Sequence, residues 1–418
     1  MDKGLKTKRV AIETLGCKLN QAESQELAAE LAAAGCRIVD SAEGVDIYIL
    51  NTCTVTHVAD RKTRHLLRMA RRRSPDAVIV AIGCYPQRNR QELAAIDGVD
   101  LILDNTQKME LVERLRAGGY LDGAALPDES FDGLRSRSFV RAQDGCNNRC
   151  AYCIVPLVRG REKSLPVDKV IVAIEDRVGR VYREVVLTGT EIGSYHHNSF
   201  DIKGLIEAIL NRTEVERLRL SSLQPHHITP QLIGLWRNQR LCPHLHLSLQ
   251  SGSNGVLARM KRRYTTEDYR RAVELIRSIV PQAAVTTDVI VGFPGESDDE
   301  FEESYDFCKR MEFARIHVFP YSPRPGTEAA RMEGQVSAGV KKERSKKMLA
   351  LAEDSARSFR QRFLGETMPV LWEQQCGGVW SGLTANYIRV YAKSSEDIAG
   401  RITEVKPDRL WRDGVRVL

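Results

Sequence analysis

Residues 146–153 read Cys146-Asn147-Asn148-Arg149-Cys150-Ala151-Tyr152-Cys153, three thiols within eight positions. Thiolates select zinc, copper(I) or iron–sulfur clusters. A structural zinc takes four protein ligands, usually from two paired motifs, and no second Cys-x-x-Cys or His pair lies nearby. Three ligands suit a four-iron cluster whose fourth iron keeps an open position. A zinc site or three structural cysteines is the alternative. The run follows a strand-like stretch around Val140. That puts it at the C-terminal end of a strand, where α/β barrels carry their chemistry.

Outward from this loop, apolar runs recur at Val140, Val185 to Leu187, Leu218 to Leu220, Leu245 to Leu249, Val285 to Val291 and Ile316 to Phe319, with helical stretches between them. These make about six β/α units over 137–365, too few for the closed eight-unit barrel and enough for a partial (β/α)6 barrel. Upstream, over 1–117, Arg9 to Glu13, Val45 to Leu50, Ala77 to Ile82 and Val99 to Leu103 read as buried strands. Gln21 to Ala34, Val58 to Arg73 and Gln107 to Arg116 have helical periodicity, and the alternation predicts a parallel-sheet α/β domain. Residues 118–136 are rich in Gly and charge and read as a linker. Residues 366–418 carry short strand candidates at Met368 to Leu371, Val379 to Leu383, Tyr387 to Tyr391 and Arg401 to Val405, the pattern of a small β-barrel.

The 418-residue chain is 42% apolar and 28% charged, the mix of an ordinary globular protein, and its ten cysteines stand out. Met1 to Asn20 lacks the apolar run of a signal peptide, and no stretch approaches the roughly 18 apolar residues of a membrane helix. A cytoplasmic location is expected. In a reducing compartment spaced cysteines bind metal or do chemistry more often than they form disulfides. Cys17, Cys53 and Cys84 each end a predicted strand, so a parallel sheet brings all three to one edge. Cys36, Cys242, Cys308 and Cys376 have no partner at a telling spacing and are expected to pack as small hydrophobes.

Cys146 to Cys153 resembles the signature of the radical S-adenosylmethionine (SAM) superfamily. Glu13-Thr-Leu-Gly-Cys-Lys, Asn51-Thr-Cys-Thr-Val-Thr, Gly83-Cys-Tyr-Pro-Gln, Asp144-Gly-Cys-Asn-Asn and Gly292-Phe-Pro-Gly-Glu are similar to the methylthiotransferases, over nearly the whole chain. Asn51 to Thr56 and His317-Val-Phe-Pro-Tyr-Ser most resemble the branch acting on N6-threonylcarbamoyladenosine at tRNA position 37. The resemblance implies a 4Fe-4S cluster on Cys146, Cys150 and Cys153 that binds and cleaves SAM, and an auxiliary 4Fe-4S cluster on Cys17, Cys53 and Cys84. It further implies a radical that takes hydrogen from carbon 2 of the adenine, and a second SAM as methyl donor. The C-terminal module would be a TRAM-like RNA binder. Tyr152, Gly189, Thr190, Ser221, Gln250 and Val291 are the candidate SAM contacts, and Asp288 is a candidate polar group inside the barrel.

The net charge of +7 permits a polyanionic partner. Arg61 to Arg73 contains seven cations and no acid, and on a helix 61, 64, 68 and 72 share a face suited to phosphates. Arg64, Arg68, Arg159 and Arg161 are the candidate substrate contacts. The segment from Glu366 onward has seven basic and seven acidic residues and is neutral. The expected partners are tRNA, a flavodoxin- or ferredoxin-like electron donor and a sulfur source, with no membrane and a monomeric chain. Alternatives are methylthiolation of isopentenyladenosine in tRNA or of a ribosomal-protein aspartate, or a non-catalytic zinc-stabilised tRNA-binding protein.

Overall fold

The computed structural model describes residues 7–40, 44–121, 136–180 and 182–417. Most of the expected linker, 122–135, lies outside them. The N-terminal strands Arg9–Thr14, Ile47–Thr52, Val78–Gly83 and Leu101–Leu103 form a wholly parallel sheet, joined at one edge by the two-residue strand Arg37–Ile38. Every residue of Ile47–Thr52 is buried, as expected for a central parallel strand covered on both faces. Alternation splits the apolar side chains. Val10, Ile49 and Val80 meet Leu27, Leu31 and Leu111 on one side, while Ala11, Tyr48, Leu50 and Ile79 meet Leu67 and Ala70 on the other. The first two predicted helices are Lys18–Ala33 and His57–Arg73, and the third is a 3-10 turn at Lys108–Glu110 followed by Leu111–Ala117. Two short unpredicted helices, Cys84–Arg88 and Arg90–Ala94, follow the strand Val78–Gly83.

The six expected barrel strands are present and parallel: Arg137–Arg141, Glu184–Thr188, Arg217–Leu220 (continued by Ser222–Leu223), His244–Leu247, Ala284–Val291 and Arg315–Pro320. They run in sequence order as an open arc. The helix Lys18–Ala33 lies along the first strand of that arc. There Gln25 Oε1 accepts from the Phe139 N–H at 2.8 Å and from Ser138 Oγ at 3.2 Å, satisfying a buried edge-strand donor.

The C-terminal segment folds as a six-stranded mixed sheet built on Met368–Cys376, Val379–Thr384 and Arg389–Lys393. It occupies the place of the expected barrel, but no ladder joins its edge strands Ile402–Val405 and Arg409–Trp411. Only residues 406–408 separate them, and Pro407 lacks the N–H a closing ladder would use there. Cys376 differs from its expectation: it is exposed beside the Gly377-Gly378 turn, whereas Cys36, Cys242 and Cys308 are buried.

The turn after Val379–Thr384 drives Tyr387 into the N-terminal end of the barrel. Tyr387 has φ +68°, where bulky residues are rare, and is held by stacking on His244 at 4.4 Å and by Arg219 at 4.0 Å. Beside it Arg219 makes two hydrogen bonds to Glu184, at 2.8 and 3.1 Å, with both side chains fully buried. The barrel floor is therefore closed by a charge pair and a ring.

Candidate functional site: two cysteine triads

One cysteine triad is built by three strand ends and the other by a single loop. Cys17, Cys53 and Cys84 follow three adjacent parallel strands and reach one sheet edge, close enough that a Cβ on Gly16 (φ +101°) would lie 2.9 Å from Cys53 Sγ. Only glycine fits that approach. Cys17 Sγ faces Asn20 Oδ1 at 3.5 Å, and Asn105 Nδ2 points at Cys84 Sγ at 3.6 Å. Cys146, Cys150 and Cys153 form the loop after the first barrel strand. The Asn148 N–H donates to Cys146 Sγ at 3.4 Å, and Arg262 Nη1 donates to Cys150 Sγ at 3.2 Å.

Neither triad draws three sulfurs within 4.8 Å of one another. A tetrahedral zinc with Zn–S bonds of about 2.3 Å needs sulfurs only about 3.8 Å apart. Three thiols in each set are the donor complement of a four-iron cluster that keeps one iron open. Burial pushes the Cys53 and Cys153 thiols up to about 12, and burial with the nearby Glu191 does the same for Cys146. Ionising them requires the positive charge of bound iron.

The short helix Val155–Arg159 links the triads. Ile154 and Val158 pack on Cys84, and the Arg159 guanidinium bonds Asp144, Glu23 and Asn20. Its side chain is 3% exposed. Of the other candidate substrate arginines, Arg64 bonds Tyr85 Oη and Glu92, while Arg68 and Arg161 are exposed. Arg61, Lys62, Arg72 and Arg73 are exposed too, whereas Arg71 is spent on the Gly98 and Ala77 carbonyls and on Asp100.

The candidate SAM contacts converge at the C-terminal ends of the barrel strands. Thr190 Oγ1 donates to Asp144 at 3.2 Å, the Gly189 N–H points at Ser221 Oγ at 3.4 Å, and Tyr152 Oη is 3.5 Å from Arg262. Gln250, at φ +69°, bridges to Val289, and Val291 is buried. A Cβ on Gly189 would lie 2.7 Å from Gln143 Oε1 and 3.0 Å from Gln143 Cβ, so a larger residue there would have to displace the Gln143 side chain. Sequence reasoning missed a chain of side chains spanning the loop. Cys146 donates to Glu191, Gln224 donates to the other Glu191 oxygen, Arg262 donates to Gln224, and Arg262 also reaches Cys150. Arg262 sits in the basic run Lys261-Arg262-Arg263, which from sequence reads as one more basic cluster that could meet a polyanion.

Residues 140–308 match the Radical SAM superfamily, and residues 9–104 match a family described as uncharacterized protein family UPF0004. The chain is 36% identical over 425 residues to the threonylcarbamoyladenosine tRNA methylthiotransferase MtaB of Bacillus subtilis (strain 168), covering 95% of this chain and 93% of that one. It is 35% identical to the MtaB of Thermotoga maritima, with 98% and 96% covered. It is 32% identical to a tRNA-2-methylthio-N(6)-dimethylallyladenosine synthase of Syntrophotalea carbinolica, with 96% and 97% covered. In fold it is similar to the radical S-adenosylmethionine methyltransferase TsrM of Kitasatospora setae, with a TM-score of 0.57, 14% identity, and 90% and 81% of the two chains covered. The chain belongs to the radical SAM methylthiotransferase family.

Proposed function

We propose that this protein adds a methylthio group to carbon 2 of N6-threonylcarbamoyladenosine at position 37 of tRNA. One observation carries the reading: two cysteine triads, one at the ends of three adjacent parallel strands and one in the loop after the first barrel strand, are tied together by Val155–Arg159. The substrate follows the whole-length relatives that carry that activity in their names.

Cys146, Cys150 and Cys153 hold the SAM-binding 4Fe-4S cluster, and Cys17, Cys53 and Cys84 hold the auxiliary one. When bound, the clusters and SAM supply the electron, the radical, the sulfur and the methyl group, and the protein supplies placement and exclusion of water. Arg262 sets a positive charge beside Cys150, the Asn148 N–H donates to the Cys146 sulfur, and the Asn105 amide donates to the Cys84 sulfur, three contacts that a ligating thiolate keeps. Tyr152, Gly189, Thr190, Ser221, Gln250 and Val291 form the cofactor rim. The exposed cations of His57–Arg73, Arg68 among them, and Arg161 track the RNA backbone, while Arg159 holds the two triads in register.

In this reading 1–117, 137–365 and 366–418 are the auxiliary-cluster, radical and RNA-docking modules. A flavodoxin- or ferredoxin-like protein delivers electrons to a monomeric cytoplasmic enzyme, and a separate donor renews the sulfur. No helix among the described residues is long and apolar enough to cross a membrane. Mass spectrometry of tRNA nucleosides from cells with and without the protein tests the function. The 2-methylthio derivative of N6-threonylcarbamoyladenosine should disappear without it, and its persistence would overturn the reading.

A further inference from the structure

Beneath the mouth of the barrel, strand register brings His246, Asp288 and His317 together on the inner face. Asp288 pairs with His317 across the ladder, and ligand atoms of all three lie within 4.8 Å of one another. None of them belongs to either triad. Lys18, the residue after Cys17, reaches the same space from the N-terminal domain, with Nζ 6.0 Å from the Tyr387 ring. Burial lowers its pKa, and Tyr387 and Asp288 act against that shift. Among the described residues Lys18 has no ion-pair partner within 4.0 Å. The Asp288 side chain lies deep inside the protein yet keeps 30% of its accessibility, so it faces an internal, water-reachable space.

Hydrogen-bond bookkeeping fixes the proton positions. His244 Nδ1 is buried without a partner, and an orphaned lone pair is cheaper than an orphaned N–H. The His244 proton therefore sits on Nε2, 3.2 Å from Thr286 Oγ1, to which it donates. The Thr286 hydroxyl then donates to His246 Nδ1 at 3.0 Å, and His246 Nε2–H donates to Asp288 Oδ2 at 3.2 Å. His246 is thereby a donor whose lone pair is already used, which disfavours a metal ion. Asp288 is held in place with Oδ1 free to accept. An ammonium and a carboxylate, each with open capacity, face one lumen.

An occupant that satisfies both must carry an anionic acceptor and an N–H or O–H donor. Resting on the proposed function, the substituents to compare are the threonylcarbamoyl arm, with a carboxylate, a hydroxyl and ureido N–H groups, and the dimethylallyl arm, which has none of these. We propose that Lys18, Asp288 and His317, with His246 as the positioning residue, form the pocket for a polar, amino-acid-derived arm on N6 of the target adenine. Lys18 takes the carboxylate and Asp288 a donor. An apolar arm would leave both charges unpaired, and sites built to hydrogen-bond a substrate reject analogues lacking the partner group.

The test uses the cluster-reconstituted full-length enzyme and anticodon stem-loops carrying N6-threonylcarbamoyladenosine or dimethylallyladenosine at position 37. Wild type should bind the first more tightly. Asp288→Asn and Lys18→Met should each shrink that preference by about 10-fold or more, and kcat/KM on the two full tRNAs should follow. Equal binding of the two stem-loops by wild type, or an unchanged preference in both variants, would overturn the pocket. So would one zinc or manganese ion per chain that is lost in His246→Gln. A wild type that prefers the first stem-loop yet methylthiolates neither tRNA would sink the proposed function and leave the pocket standing.

Discussion

Arg159 Nη1 lies 3.0 Å from Glu23 Oε1, an ion pair between the helix that leaves one cysteine triad and the helix that begins beside the other. Lys108 Nζ approaches the same carboxylate at 2.5 Å, and all three side chains are almost fully buried. Removing one partner of such a pair strands a charge and costs about 3–5 kcal/mol. Arg159→Met is therefore expected to lower the thermal midpoint and to reduce iron retention at both triads, read by calorimetry and iron assay.

The same pair sets an acid limit on stability. Burial alone pushes Glu23 up, but Arg159 and Lys108 outweigh it and hold the carboxyl at about 2, against 4.5 for the free group. A carboxyl depressed on folding contributes stability above its unfolded value, and this is lost as pH falls from about 4.5 toward 2. Unfolding midpoints measured from pH 6 to pH 3 should fall more steeply in wild type than in Glu23→Gln.

The triads are separable by substitution. Anaerobically reconstituted wild type should carry about eight irons per chain, as two four-iron clusters. Replacing Cys17, Cys53 and Cys84 with Ala should halve that while reductive cleavage of SAM survives. Replacing Cys146, Cys150 and Cys153 should halve it and abolish cleavage. Loss of cleavage in the first variant would contradict the division of labour.

Arg262 contacts Cys150 directly, so its charge bears on the cluster's electronics. Hydrogen bonds and net charge around the sulfurs tune cluster potentials. Arg262→Gln should lower the potential by roughly tens of millivolts, and Arg262→Lys should recover part of the shift. A redox titration followed by electron paramagnetic resonance, in the variant lacking Cys17, Cys53 and Cys84, isolates the effect.

What the sequence made legible was local. Apolar runs announced the strands, and short cysteine spacings or strand-end positions announced both triads. Asp288 was legible as a polar group inside the barrel, but its partners are assembled by register between distant strands. His246 stands 42 residues from Asp288 and alternates with leucines in a segment that reads as simply apolar. Lys18 was hidden because the helix starts at Lys18, one turn before its periodicity becomes visible, and Cys17 provides no side-chain cap to mark it. The last two strands, Arg409–Trp411 and Gly414–Arg416, are too short for periodicity to register.

The exposed cations of His57–Arg73 offer a salt-dependence test. Arg68→Ala and Arg72→Ala should weaken tRNA binding whatever the base at position 37. Each should also reduce the slope of log affinity against log salt by about one if it meets a phosphate. Binding isotherms between low and moderate salt decide this, and unchanged slopes would remove the helix from the RNA interface.

Tyr387 gives the C-terminal sheet a second identity. Because its ring corks the barrel from below, cutting the chain before Glu366 would remove more than an appendage. It would uncap His244 and drain water into the Arg219–Glu184 pair, undoing from beneath the hydrogen-bond ladder that ends at Asp288. The module farthest along the chain is, in mechanical terms, the foundation of the chamber.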